Sequence, residues 1–361
     1  NSFEKYKTHF DALLESVKNE GFKKEFAVPV TEQGSLLNGS HRTAAAYLYD
    51  ATIHTRTTTD PRAGQVNCSS YFFRDLGLKE KWLDAMALEY AKMKTNTRVI
   101  TLYPARANDE KKEQQVARLI RDTIPIVYEK TLNLNDKGLY NFISQLYFEE
   151  PWLSDGVDPL AGVKHQTYKC TGNSSVKVLL VETPSIEVTQ QLKEDIRDIY
   201  GIGKPSVHIN DNFRETLRIS RIAFNENSIY FLNHGDPLYS PKLSQLLNIY
   251  RSALNHYNLN SDDFCVTGSA VMTLFGIRDC TDLDYLHMDP RHVLQGNKLI
   301  GSHETELSKY PLHKHDIVLN PFNHFYWNNV KFATLNVVKS LKAYRGEEKD
   351  IKDVELIEGV L

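Results

Sequence analysis

FCVTGSAVMTLFGIRDCTDLDYL, residues Phe264 to Leu286, is the stretch from which the rest of the chain is read. It begins with an apolar run, Phe264-Cys265-Val266, of the length of a short buried strand. Thr267-Gly268-Ser269 breaks that run and opens a helical pattern with Val271, Leu274 and Phe275 on one face, and Gly276 is its expected stop. A second strand then carries Asp282-Leu283-Asp284. Residues two apart in a strand point the same way, so both carboxylates are expected on one face. Two acids beside a Gly-Ser turn at a helix start suit a divalent cation, Mg²⁺ or Mn²⁺, and a triphosphate. The acids hold the hard cation while backbone N–H groups and the helix dipole take phosphate oxygens. The plainer alternative is a strand whose acids form a solvated face.

Gly268-Ser269, a helical stretch and Asp282-x-Asp284 together resemble the core of the DNA polymerase beta-type nucleotidyltransferase superfamily, over roughly Tyr239 to Leu361. The resemblance implies a nucleotidyltransferase fold for residues 239–361, with Asp282 and Asp284 as metal ligands. It also implies a third acid on a later strand. Asp316, in the alternating His313-Lys314-His315-Asp316-Ile317-Val318, is the candidate, completing the metal site or acting as general base toward an attacking hydroxyl. Ser269, the Gly268 backbone and Arg278 are expected to hold phosphates of a nucleoside triphosphate or a nucleotide-activated donor. The final helix, ending in Lys342, Arg345 and Lys349-Asp350, is similar to the close of minimal nucleotidyltransferases.

The chain's start carries a second glycine turn. Tyr6 to Glu20 reads as an amphipathic helix with Phe10, Leu13, Leu14 and Val17 on one face, followed by a strand at Phe26–Val30. Asn38-Gly39-Ser40-His41-Arg42 then opens another helix, and glycine with basic residues at a helix start describes an anion cradle. This region looks like the N-terminal domain shared by ParB and sulfiredoxin, whose Gly-x-(His/Arg)-Arg signature implies that Gly39, Ser40, His41 and Arg42 contact nucleotide phosphates. Sulfiredoxin has Cys where Ser40 stands, so the likeness does not extend to its redox chemistry. The alternative is a helix start whose His41 and Arg42 cap or pair locally.

Between the two lies an alternation of strands (Arg98–Tyr103, Ile124–Tyr128, Val176–Val181) and helices (Glu110–Arg121, Leu139–Phe148, Val188–Tyr200). It predicts an α/β unit with a mainly parallel sheet. Further on, Arg214, Arg218 and Arg221 share a helical stripe, which reads equally as a phosphate or carboxylate clamp and as a solvated, salt-bridged face. Neither a Gly-x-Gly-x-x-Gly turn nor a Walker loop occurs, which sets aside the ordinary dinucleotide and P-loop readings.

At 361 residues, with 41% hydrophobic and 25% charged residues, the chain has the composition of a globular protein with several cores. A net charge of −3 gives no basic footprint, so a nucleic-acid polymer is not the expected partner. The four cysteines are widely spaced and form no Cys-x-x-Cys pair, which favours reduced thiols in the cytoplasm. No apolar run reaches the ~18 residues of a transmembrane helix. The expected organisation is α/β and α+β multi-domain, divided 1–68 (ParB/sulfiredoxin-like), 69–238 (α/β) and 239–361 (nucleotidyltransferase-like). The expected activity is Mg²⁺-dependent transfer at phosphorus to a small-molecule or saccharide acceptor such as a sugar or polyol phosphate, since chains of this combination are similar to bacterial surface-polysaccharide biosynthesis proteins. Three alternatives stand: a kinase seated on His41-Arg42 with Glu4 as base, a metal-dependent glycosyltransferase using a nucleotide sugar, and a nucleotide sensor without turnover.

Overall fold

Val176-Lys177-Val178-Leu179-Leu180-Val181 is apolar on both faces of its pleat, and a strand of that kind needs cover on both sides. The structure, a computed structural model, provides it. It describes residues 3–58, 69–103, 109–148, 150, 161–168, 175–237, 240–288, 294 and 298–361; Cys68 and Cys170 lie outside these, whereas Cys265 and Cys280 are buried free thiols. The architecture is mixed α/β, with three sheets among the described residues, and the chain divides into two compact units, Asn1–Phe72 and Phe73–Leu361.

The first unit contains α1 (Phe3–Glu20), β1 (Val28–Val30), α2 (Ser40–Leu48) and β2 (Thr55–Thr57). Strands β1 and β2 pair in parallel, Val28 opposite Thr55, with α2 in the connection between them, and α1 packs against α2. Helix α3 (Ser70–Asp75) straddles the division between the units.

The second unit opens with α4 (Glu80–Met93), β3 (Thr97–Leu102), α5 (Glu110–Thr123), β4 (Ile126–Asn133), α6 (Asp136–Leu146), α7 (Ala161–Tyr168), β5 (Ser175–Glu182), α8 (Ile186–Tyr200) and β6 (Val207–Ile209). The sheet runs β4-β5-β3-β6 and every neighbouring pair is antiparallel, which corrects the expectation of a mainly parallel sheet. The reason lies in strand order. β3–α5–β4 joins two strands of the same direction, but β5 is inserted between them; β5–α8–β6 does the same around β3. Split crossovers of this kind keep the strand–helix alternation while making every neighbour antiparallel. On one face Ile100, Leu102, Leu179, Val181 and Ile209 meet Val116 and Ile120 of α5 and Leu192 and Ile196 of α8. On the other, Val99, Tyr103, Val178 and Leu180 join a larger core.

That larger core continues into the remainder of the chain. After α9 (Phe213–Ala223), α10 (Glu226–His234) and α11 (Pro241–His256) come β7 (Phe264–Thr267), α12 (Ser269–Leu274), β8 (Leu283–His287), β9 (Ile300–Ser302), α13 (Lys314–Val318), β10 (His324–Trp327), β11 (Val330–Ala333), α14 (Leu335–Arg345) and α15 (Glu348–Glu358). The strands form a mixed sheet, β10-β11-β7-β8-β9. Phe142 of α6, Ile219 of α9 and Phe231 of α10 share one core with Val178 and Leu180 of the first sheet and Phe264, Phe325 and Trp327 of the second. The segments read from sequence as a middle and a C-terminal domain are therefore packed on each other within one unit. Their expected boundary, at residues 238 and 239, lies outside the described residues.

Helix α9 touches both β3 and β10, and this decides the fate of the arginine stripe. Arg218 is buried and donates to the Leu146 carbonyl at 2.8 Å. Arg221 is buried too, pairs with Asp262 at 2.9 Å and lies over the Tyr326 ring. Arg221 ties α9 to the second sheet and Arg218 ties it to the end of α6; neither is a solvated face. Among the described residues no helix is long and apolar enough to cross a membrane.

Candidate functional site

The second sheet builds its site from the strand–turn–helix–strand pattern of residues 264–286. Gly268 links β7 to α12 at φ 68°, ψ −145°, in the positive-φ region that L side chains rarely adopt. A side chain would also displace the Asp284 carboxylate, because a Cβ there would stand 2.8 Å from Asp284 Oδ2. The cause is register: Thr267 lies opposite Asp284 across the antiparallel β7/β8 pair. On the other edge of β8 the parallel partner of Asp284 is Gly301, whose Cβ would be 3.3 Å from Oδ1. The Asp284 carboxylate thus occupies a slot between two glycines. Asp282, half-buried, immediately precedes β8, and its Oδ1 accepts from the Thr281 hydroxyl at 3.1 Å.

Facing these acids is a wall of cations supplied by the loop before β8 and by α14. Arg278 grips Asp353 of α15 with both forks, Nε to Oδ1 and Nη2 to Oδ2, each at 2.7 Å. Lys342 Nζ lies 2.6 Å from Asp353 Oδ2 and 3.1 Å from Asp350 Oδ1. Arg345 makes its own two-point contact with Asp350, both bonds at 2.8 Å. Burial alone pushes Asp350 and Asp353 upward, but the bonds from Arg345, Lys342 and Arg278 outweigh it and hold both carboxyls below the usual range. Reciprocally, the bond to Asp353 raises Arg278 and the bond to Asp350 raises Arg345. Arg278 and Arg345 are thereby fixed in bidentate geometry, and Lys342 between two carboxylates, before any ligand arrives.

Acids and cations line one cavity of about 390 Å³, formed by Gly268, Ser269, Arg278, Thr281, Asp282, Asp284, His303, Leu341, Lys342, Arg345 and Lys349. Of the residues expected at this site, Gly268, Ser269, Arg278, Asp282 and Asp284 are all brought together. Asp316 is not among those lining the cavity. It sits exposed in α13 rather than on a strand, a correction to the sequence reading. Its neighbours Ile317 and Val318 are both buried, which adjacent residues achieve on a helical turn but not on one face of a strand.

Asp282 and Asp284 both line this cavity and are the residues that could hold a divalent ion. Mg²⁺ is commonly held by one or two carboxylates together with substrate phosphates and water, and two carboxylates converge here. Among the described residues no group of three or more His, Cys, Asp and Glu side chains is arranged to hold a metal on its own. Asp282 and Asp284 would hold the ion, with the remaining positions left to phosphate oxygens and water.

The N-terminal glycine turn is built differently. Gly39 takes φ 88° at the start of α2, and a Cβ on it would meet Arg42 Nη2 at 2.9 Å, so the guanidinium is folded back over the turn. Arg42 donates through Nη1 to the Phe26 carbonyl, and His41 contacts the Tyr6 hydroxyl through Nε2, its ring edge-on to Tyr6 and Phe10. Ser40 is the first residue of α2. Gly39, Ser40, His41 and Arg42 thus form a local knot in which both basic side chains pair within their own unit.

Reading the sequence missed His303 and Tyr310 and underrated Lys342. Lys342 reads as one more lysine on a helix, yet it is 5% exposed and lines the cavity. Its signal was the Lys349-Asp350 ending, since Asp350 is its counter-ion. Comparison of the chain with protein-family models and with curated proteins returned no match.

Proposed function

We propose that the second unit is a Mg²⁺-dependent transferase acting at phosphorus, with the C-terminal sheet as a nucleotidyltransferase-type core. The observation that carries this reading is the convergence of Asp282 and Asp284, the Gly268-Ser269 turn and the pinned cations Arg278, Lys342 and Arg345 around one cavity. When bound, the metal supplies charge neutralisation between phosphate oxygens. Asp282 and Asp284 anchor it. Arg278, Lys342 and Arg345 take the charge of a di- or triphosphate and orient it, and because their own geometry is set by Asp350 and Asp353 they need no reorganisation as charge shifts. Lys349, exposed at the rim, adds a further positive charge. Asp316 receives no role at phosphorus in this reading.

The donor is a nucleoside triphosphate or nucleotide-activated compound, and the acceptor a hydroxyl or phosphate of a small molecule or saccharide, as in cytoplasmic steps of surface-polysaccharide assembly. The first unit, with its ParB/sulfiredoxin-like order of helix, strand, helix and parallel strand, is assigned no chemistry of its own. The test is a panel of nucleotides and nucleotide sugars with and without Mg²⁺, read first as thermal shift and then as product. Pyrophosphate release marks nucleotidyl transfer. ADP release marks a kinase, and free UDP, GDP or CMP marks a sugar or sugar-phosphate transferase. Metal-independent binding with no turnover of any nucleotide overturns the proposal.

A further inference from the structure

One polar contact at the Asp284 carboxylate comes from outside the sequence pattern. His303 Nε2 stands 3.3 Å from Asp284 Oδ2, and its other ring nitrogen, Nδ1, lies 2.8 Å from the Tyr310 hydroxyl. That hydroxyl in turn bonds Thr267 Oγ1 at 3.2 Å, so the line runs from the end of β7 through Tyr310 and His303 back to β8. All of it is sheltered. Thr267 is fully buried, Tyr310 is 7% exposed, and burial pushes the tyrosine hydroxyl well above its ordinary value and keeps its proton in place.

We propose that His303 is a positioning residue that fixes the rotation of the Asp284 carboxylate for the divalent cation. The proposal rests on the metal-site reading above. Three observations support it. The ring stands between the two groups, with Nε2 3.3 Å from Asp284 Oδ2 and Nδ1 2.8 Å from the Tyr310 hydroxyl, so its orientation is held from the side away from the carboxylate. The two oxygens are unequal: Oδ2 lies beside Gly268 and His303, and Oδ1 beside Gly301. Rotation about the terminal carboxylate torsion is otherwise soft, since such torsions have broad wells. A metal ligand whose terminal torsion is less firmly set binds more weakly. Outer partners of metal-ligating carboxylates act in this way, and their loss typically lowers metal affinity by about 10–100-fold.

The experiment measures Mn²⁺ binding to the full chain by electron paramagnetic resonance, with no turnover required. His303→Ala is expected to weaken Mn²⁺ binding at least tenfold without changing the melting temperature appreciably. His303→Gln, whose amide nitrogen reaches the place of Nε2, is expected to restore most of the loss, and Tyr310→Phe to fall between. Equal Mn²⁺ affinity in wild type, His303→Ala and His303→Gln overturns the proposal while leaving the metal site standing. A nitrogen coupling on the bound Mn²⁺ that disappears in His303→Ala also overturns it, because the ring is then a direct ligand. Absence of Mn²⁺ binding by wild type overturns this inference and the transferase reading together.

Discussion

Two glycine turns open helices in this protein, Gly39-Ser40 at the start of α2 and Gly268-Ser269 at the start of α12, and in sequence they look alike. What separates them is where the neighbouring charge is used. At the first, Arg42 and His41 are engaged by groups of their own unit, the Phe26 carbonyl and the Tyr6 hydroxyl. At the second, Arg278, Lys342 and Arg345 are engaged too, but by carboxylates, and they still line a cavity shared with two acids. Arg42 is spent on a carbonyl of its own unit, whereas Arg278, which also donates Nη1 to the Asp279 carbonyl, gives Nε and Nη2 to the Asp353 carboxylate. A cation held by a carboxylate at the edge of a cavity is prepared for an anion. Glycine at a helix start does not distinguish these cases; the partner of the nearest cation does.

The strongest way to break this contrast is to remove the acids. Asp284→Asn or Asp282→Asn is expected to cost on the order of a thousand-fold in turnover, the scale of losing preorganised charge stabilisation, with the melting temperature retained. Full Mg²⁺-dependent activity in both variants would remove the distinction. Next in size is the cation wall. Arg345→Ala is expected to raise KM for the nucleotide about 10–100-fold, more than it lowers kcat, since it removes ground-state phosphate contact. An equal fall in kcat with KM unchanged would place Arg345 elsewhere in the mechanism.

Acid titration sharpens the role of the backing carboxylates. Asp350 and Asp353 have folded values below their ordinary 3.8, so their contribution to stability is complete above that pH and is lost as pH falls through the folded values. Unfolding of the second unit below about pH 4 is expected to be steeper in wild type than in Asp353→Asn, as followed by denaturant midpoints across the pH range. Identical pH profiles would show that α15 does not anchor the wall. The smallest effect belongs to the first turn: Arg42→Ala should lower the stability of the first unit by roughly 1 kcal/mol and leave phosphate-ligand affinity unchanged. Weaker ligand binding in that variant would return Gly39–Arg42 to the status of a phosphate cradle.

How much of this was legible in the sequence follows from how local each signal is. The β7–α12–β8 segment and the cavity residues within it were readable, because an apolar run, a glycine and a pair of acids are set by neighbours a few positions away. The strand order of the middle sheet was not. Alternation reports that a helix follows a strand but is silent on which strand comes to lie between the two it joins. Asp316 was misassigned because four of the six residues in its stretch are charged or titratable, leaving too little hydrophobic pattern to tell a turn of helix from a strand. His303 carried no signal at all, since its meeting with Asp284 depends on β9 pairing in parallel with β8 across a long connection. The arginine stripe was seen, and its burial was not, because no local feature announces that α9 lies between two sheets.

The single core shared by those sheets has a consequence for how a ligand is felt. Strands β3 and β5 carry no cavity residue, yet their amide protons are sealed by the same packing that holds Phe231, Phe325 and Trp327. Amides that exchange only when a whole cooperative unit opens are slowed by any ligand that binds the closed form. Solvent deuterium would thus enter β3 and β5 more slowly once the distant Asp284 slot is filled, while the amides of β1 and β2 would exchange at their former rate.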